Sequence, residues 1–148
     1  MAAISRTGEV VGGKYRLESL LGAGGMGRVY RAEHLELGEP VAVKFLLAEW
    51  ASRTEMRARF RREAVVLARL RHPNIVSVID YGEHRGELYL VMEMLRGVSL
   101  DSQVKAGGST LPLHRVVHVV DQVLQVLEAA HAAGVVHRDL KPENVMLL

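Results

Sequence analysis

His137-Arg138-Asp139-Leu140-Lys141-Pro142-Glu143-Asn144 lies close to the end of this 148-residue chain, and its reading governs the rest. A carboxylate, Asp139, precedes a carboxamide, Asn144, by five positions, spaced so that one can take a hydroxyl proton while the other holds a metal ion. Four residues follow the octet: Val145, Met146, Leu147 and Leu148.

Working outward, the octet follows a long helix expected over residues 112–133. Val116, Val120, Val123, Leu127 and Ala130 stripe one face, and His114, His118, Asp121, Gln125 and Glu128 stripe the other. Gly134 is placed to cap it. Residues 145–148 read as one strand of a hairpin whose mate is absent. Before the long helix come a short one near 99–105 and a Gly-Gly-Ser-Thr loop. His114 and His118 stand four apart as zinc ligands do, but no glutamate adjoins the first and both share the polar face, so they read as solvated.

The first part of the chain alternates as strands do. Runs at 15–21, 28–34 and 40–46 form an antiparallel meander, and runs at 75–81 and 87–95 are joined by a turn at Glu83-His84-Arg85-Gly86. Between them a helix is expected to open on a capping box at Ser52-Arg53-Thr54-Glu55 and to end at His72-Pro73, with Met56, Phe60, Glu63, Leu67 and Leu70 as its inner stripe. The fold class is α+β: five strands and one helix, followed by the start of a helical part.

Three motifs carry chemistry upstream of the octet. Gly22-Ala23-Gly24-Gly25-Met26-Gly27-Arg28-Val29 satisfies G-x-G-x-x-G-x-V. A dinucleotide-binding loop must open a helix, whereas this one runs into the strand pattern Val29-Tyr30-Arg31-Ala32. In Val41-Ala42-Val43-Lys44 the lysine shares its strand face with Ala42 and Leu46, in apolar company. An ammonium there needs a partner, and Glu63, a carboxylate on an apolar helix stripe, is the natural candidate. Leu90-Val91-Met92-Glu93-Met94-Leu95 reads as a buried strand.

Taken together these motifs resemble the Hanks-type serine/threonine protein kinases, and the glycine loop with its internal methionine looks most like the bacterial members. The resemblance spans residues 15–148. It implies an ATP site formed by Leu21, Gly22, Ala23, Gly24, Gly25, Met26, Gly27, Val29, Ala42 and Lys44, with Met92 as gatekeeper, the Glu93 and Leu95 backbones on the adenine edge, and Met146 beneath the base. By the same resemblance Lys44 and Glu63 pair to hold the α- and β-phosphates, and Asp139 accepts or orients the proton of the substrate hydroxyl. Asn144 ligates magnesium, Lys141 steadies the γ-phosphate, and Arg138 senses a phosphorylated activation loop. Lysine at 141 followed by Pro-Glu is similar to serine/threonine rather than tyrosine kinases. Expected domains are an extension over 1–14, an N-lobe over 15–95 and an incomplete C-lobe over 96–148.

No Asp-Phe-Gly occurs in these residues, so the second magnesium ligand of the family is missing. The chain therefore reads as an N-terminal fragment of an ATP- and magnesium-dependent kinase that phosphorylates protein Ser/Thr hydroxyls in signal transduction, inactive by itself. The alternative is a non-catalytic ATP-binding or interaction module, from a truncated or split kinase. A third reading, a small-molecule phosphotransferase, fits the Arg138 and Lys-Pro-Glu pattern less well.

Composition bounds the partners. With 19 Lys+Arg against 17 Asp+Glu, the net charge of +2 makes no case for nucleic acid or membrane. The basic residues from Arg53 to Arg71 alternate with apolar ones as a solvated helix face does. Absence of cysteine excludes disulfides and thiolate metal sites. Residues 1–14 lack a signal-peptide apolar stretch, and 113–133 is interrupted by charges, so a cytoplasmic location is expected. An uncovered helix face and an open strand edge predict self-association.

Overall fold

The computed structural model describes residues 5–24, 27–108, 110–136 and 140–148. The chain divides into two units, one formed by Met1–Arg69 with Ser77–Met94, the other by Leu70–Val76 with Leu95–Leu148.

Among its described residues the first unit is a six-stranded antiparallel sheet. In chain order its strands are β1 (Val10–Val11), β2 (Tyr15–Ala23), β3 (Gly27–His34), β4 (Glu39–Leu46), β5 (Val78–His84) and β6 (Glu87–Glu93). Their spatial order is β1-β2-β3-β4-β6-β5. Alternation sorts side chains between two faces. Val41, Val43 and Phe45 of β4 join Tyr15, Tyr30 and Val91 in one apolar cluster. Leu46 turns to the other face and packs with Leu88, Ala51, Trp50 and Phe60. Central strand β6 is apolar on both faces, with Leu88, Tyr89, Leu90 and Val91 all buried.

The sixth strand, β1, was not expected; five were. It pairs with β2 through Val10↔Arg16 and Val11↔Tyr15. Val11 is 0% exposed, a burial that stabilises by roughly 2 kcal/mol. Residues 5–11 are thus joined to the sheet, although a two-residue strand carries no alternation to read.

Two helices follow β4: α1 (Ala48–Ala51) and α2 (Thr54–Arg69). The expected capping box at Ser52 does not form. Ser52 caps the C-terminal end of α1, and its hydroxyl donates to the Glu49 carbonyl at 3.0 Å. Helix α2 is also rotated from expectation. Ala64 is its buried residue, while the Glu63 side chain is 57% exposed. Steps of three and of four from Phe60 both keep a residue on one helix face, and the apolar one takes the inner place.

α2 is seated on β5 and the β5–β6 turn. Arg57 binds the Glu83 carboxylate at 2.6 Å and the Gly86 carbonyl at 3.3 Å, and Arg61 donates to the Tyr81 hydroxyl at 2.8 Å. The turn follows expectation: His84↔Glu87 closes a two-residue loop in which Arg85 and Gly86 both have positive φ, 51° and 80°.

The second unit contains β7 (Val98–Ser99), α3 (Leu100–Ala106), α4 (Leu113–Ala132) and β8 (Met146–Leu147). Ser99 caps α3 by accepting from the Ser102 N–H at 3.1 Å. α4 closes on a Schellman motif in which the Gly134 N–H donates to His131 and the Val135 N–H to Ala130, with Gly134 at φ 76°. Of the expected inner stripe on α4, Ala130 is buried, whereas Val116 and Val120 are exposed. The strand at the chain end has a mate after all. Ser99↔Met146 and Val98↔Leu147 pair, and the Leu100 N–H donates to the Val145 carbonyl at 2.7 Å. A side chain at Gly97 would collide with the Leu147 carbonyl, so glycine lets the two segments approach. No helix among the described residues is long and apolar enough to cross a membrane.

Candidate active site

The glycine loop joins two strands. Ala23↔Arg28 and Gly22↔Val29 are in register, and the Gly24 N–H donates to the Gly27 carbonyl at 2.9 Å. A loop that opened a helix would have pointed to dinucleotide binding; the strand that follows removes that reading. Gly25 and Met26 lie outside the described residues. Leu21, at the loop's entry, is exposed, and Val29 lies across from Lys44.

Gly27 holds the loop's far end against β4. A Cβ at this position would overlap the Phe45 carbonyl oxygen and stand 3.6 Å from the Lys44 Cε. Only glycine permits this approach. Lys44 is itself half-buried, flanked in register by Val29 on β3 and Leu90 on β6. Ala42, two residues earlier on the same face, is buried and faces Met92 across the β4–β6 pair.

Lys44 and Glu63 are not brought together. The Glu63 carboxylate accepts from the Arg59 Nε at 2.9 Å, one turn back on α2, and among the described residues Lys44 makes no ion pair. The rotation that buries Ala64 turns Glu63 outward, where Arg59 is within reach. Arg59 was legible beforehand as an i, i+4 neighbour of Glu63; that it would be the partner was not.

Met92 and Glu93 end β6, and Leu95 falls in the second unit. The Glu93 N–H is used within the sheet, donating to the Ser77 carbonyl at 3.0 Å, while its carboxylate accepts from the Ser77 N–H at 2.7 Å.

In the second unit Lys141 is extended and leads into a 3-10 turn over Pro142–Asn144. Proline suits the first position of such a turn, where its N–H is not needed. The Asn144 N–H donates to the Lys141 carbonyl at 2.9 Å. Met146 follows on β8. His137, Arg138 and Asp139 lie outside the described residues. Among the described residues no three His, Asp or Glu side chains form a cluster able to hold a metal ion.

The strongest electrostatic perturbation lies on the opposite face of the sheet. Glu9 accepts from the Arg6 Nε at 2.8 Å and is approached by the His84 Nε2 at 3.0 Å and Arg85 at 3.5 Å. The hydrogen bond from Arg6 comes first among the causes that pull the Glu9 pKa down to about 2. Burial, then the hydrogen bond to Asp80 at 2.8 Å, raise that of Tyr15.

Comparison with known proteins agrees with this layout. The family model for the protein kinase domain matches residues 15–148. The serine/threonine-protein kinase PknH of Mycobacterium tuberculosis is 44% identical over 143 residues, covering 97% of this chain and 22% of PknH. PknA of the same species is 46% identical over 147 residues, covering 96% of this chain and 34% of PknA. The kinase pkn3 of Myxococcus xanthus is 46% identical over 141 residues, 26% of its length. The chain therefore spans about a fifth to a third of the length of these curated relatives. Among solved structures, the M. tuberculosis PknI kinase domain superposes with a TM-score of 0.85 at 36% identity, covering 98% of this chain and 59% of that domain. With its glycine loop turned between two strands and its lysine on the next, this chain belongs to the protein kinase family, in its bacterial Hanks-type branch.

Proposed function

We propose that these residues hold ATP for a serine/threonine protein kinase, which transfers the γ-phosphate to protein hydroxyls. The observation that carries this reading is the joint at Gly27, Lys44 and Phe45. It sets a backbone-rich loop beside a half-buried ammonium with no carboxylate partner among the described residues. A half-buried cation without a counter-charge beside it favours an anionic ligand. Loop N–H groups and Lys44 would bind phosphate oxygens, with Leu21, Ala42, Met92 and the Glu93 and Leu95 backbones around the adenine.

Asp139 would orient the substrate hydroxyl and take its proton, Lys141 would neutralise the transferred phosphoryl group, and Asn144 would supply a magnesium ligand. Magnesium, when bound, neutralises charge on the phosphates. With one donor for it, the 148-residue polypeptide alone is expected to bind nucleotide and transfer no phosphate.

The test is titration of MgATP into the purified chain, beside Lys44→Met. Saturable binding lost in the variant supports the reading, and equal binding by both removes Lys44 from it. A phosphate-transfer assay with the same preparation checks the second part, since turnover abolished by Asp139→Asn would contradict the expected inactivity. The alternative, a non-catalytic module, draws support from the engagement of Glu63 by Arg59. Nucleotide binding that persists with no transfer by the full-length protein would favour it.

A further inference from the structure

Residues 5–11 precede the segment matched by the kinase family model, yet they are built into the sheet. The Gly8 N–H donates to the Leu17 carbonyl at 2.7 Å, and the Leu17 N–H to the Glu9 carbonyl at 2.9 Å. This pairing delivers Arg6 onto the apolar face of the sheet. Its guanidinium carbon stands 4.1 Å from the centre of the Phe45 ring, and its side chain is 15% exposed. Glu9 takes two of its N–H groups, at 2.8 and 3.0 Å, and Glu87 at the start of β6 lies 3.1 Å away.

Phe45 is the residue after Lys44, and its carbonyl oxygen is the atom against which Gly27 is packed. Its ring meets Tyr30 edge-on at 5.9 Å and Tyr89 at 6.1 Å. Successive residues of a strand face opposite ways, so Arg6 grips β4 from behind at the point where Lys44 emerges in front. A largely buried ion pair adds little net stability, because desolvation offsets most of its Coulomb gain; fixing a register is its best-attested use.

We propose that Arg6 is a positioning residue for the nucleotide site: by clamping Phe45 to Glu9 and Glu87, it sets the backbone that holds Lys44 against the end of the glycine loop. The inference rests on the nucleotide-binding reading above. It makes the N-terminal segment a working part of that site, acting through Phe45 without touching the ligand.

The experiment is MgATP titration of the 148-residue chain with wild type, Arg6→Met, Arg6→Lys and, as a control that removes a different side-chain hydrogen bond beneath the same sheet, Tyr15→Phe, which breaks the bond to Asp80 on β5 and leaves Arg6, Glu9 and Glu87 in place. Arg6→Met is expected to weaken binding about fivefold or more, Arg6→Lys to recover part of the loss by keeping a cation over the ring, and Tyr15→Phe to leave affinity unchanged. Arg6→Met within about twofold of wild type while its thermal midpoint falls would make Arg6 merely structural and overturn the proposal. Equal weakening by Tyr15→Phe would do the same. If Arg6→Met does not fold, Glu87→Gln takes its place, with weaker binding supporting the clamp and unchanged binding sinking it. Failure of the wild type to bind MgATP defeats the nucleotide reading itself, and the inference with it.

Discussion

Glu63 accepts a hydrogen bond from Arg59 at 2.9 Å on the exposed side of α2, while Lys44, its expected partner, lies half-buried on β4. An exposed pair one helical turn apart is worth about 0.3–0.5 kcal/mol, too little to hold Glu63 against a competing half-buried cation. Arg59→Ala is therefore expected to lower stability by no more than about 0.5 kcal/mol and to leave MgATP affinity equal or improved. Thermal melts and titrations on the same variant check both parts; a clear loss of affinity would mean that Arg59 itself serves the nucleotide.

At Gly27 a single methyl group is expected to be damaging. Gly27→Ala drives its Cβ into the Phe45 carbonyl, a backbone atom that cannot swing aside as a flexible side chain would. A cost of roughly 1–3 kcal/mol is expected, together with weakened MgATP binding. Gly22→Ala meets open space and serves as the mild comparison. Equal effects in urea melts of the two variants would contradict the close packing.

Most of the fold was legible because its signals are periodic. Strand alternation located β2, β3, β4, β5 and β6, and the strand after Gly27 told one glycine loop from another. Glu63 was misplaced because Phe60 has a neighbour at three steps and another at four, and sequence leaves that rotation of one residue open. Strands β1 and β7 are two residues each, too short for alternation to register, whereas residues 145–148 read as a strand and only its partner β7 went unseen. Arg6 escaped notice for a different reason: its partners Glu9, Glu87 and Phe45 come from three separate elements, and only the folded sheet assembles them. Asp139, the residue on which the sequence reading leaned most, lies outside the described residues.

The acid limb of stability should carry the signature of Glu9. Its folded-state pKa of about 2 lies below the ordinary 4.5, chiefly through the hydrogen bond from Arg6. A depressed carboxylate contributes stability that is complete above the unfolded value and is lost as pH falls from 4.5 toward 2. Glu9→Gln should cost roughly 2 kcal/mol at neutral pH, and the gap from wild type should close near pH 2–3. Urea midpoints measured across that range decide it, and a gap independent of pH would remove Glu9 as the cause.

Arg85 is the one non-glycine among the described residues with positive φ, at 51° in the β5–β6 turn. Left-handed backbone costs an ordinary residue about 1–2 kcal/mol, whereas its 3.5 Å pair with Glu9, from a side chain 74% exposed, returns only a few tenths. Arg85→Asn should therefore stabilise by roughly 0.5–1 kcal/mol. A lowered thermal midpoint would show the pair to matter more than the backbone.

Helix α4 presents Leu113, Val117 and Leu124 to solvent at 78%, 59% and 57% exposure. Apolar side chains in such a row favour association. Light scattering of the 148-residue chain is expected to give a mass above 16.4 kDa that rises with concentration, with Val117→Glu shifting it toward monomer. A monodisperse monomer at all concentrations would count against this.

The pairing of Val98–Ser99 with Met146–Leu147 has a consequence for synthesis on the ribosome. The six-stranded sheet draws on nothing beyond Glu93 and can close while the remainder of the chain is still in the exit tunnel. The second unit ties its beginning to residues made some fifty positions later, a closure that contributes nothing until both ends have emerged. Until then α4 stands without its tether, and chaperone protection during translation should centre on that interval rather than on the sheet.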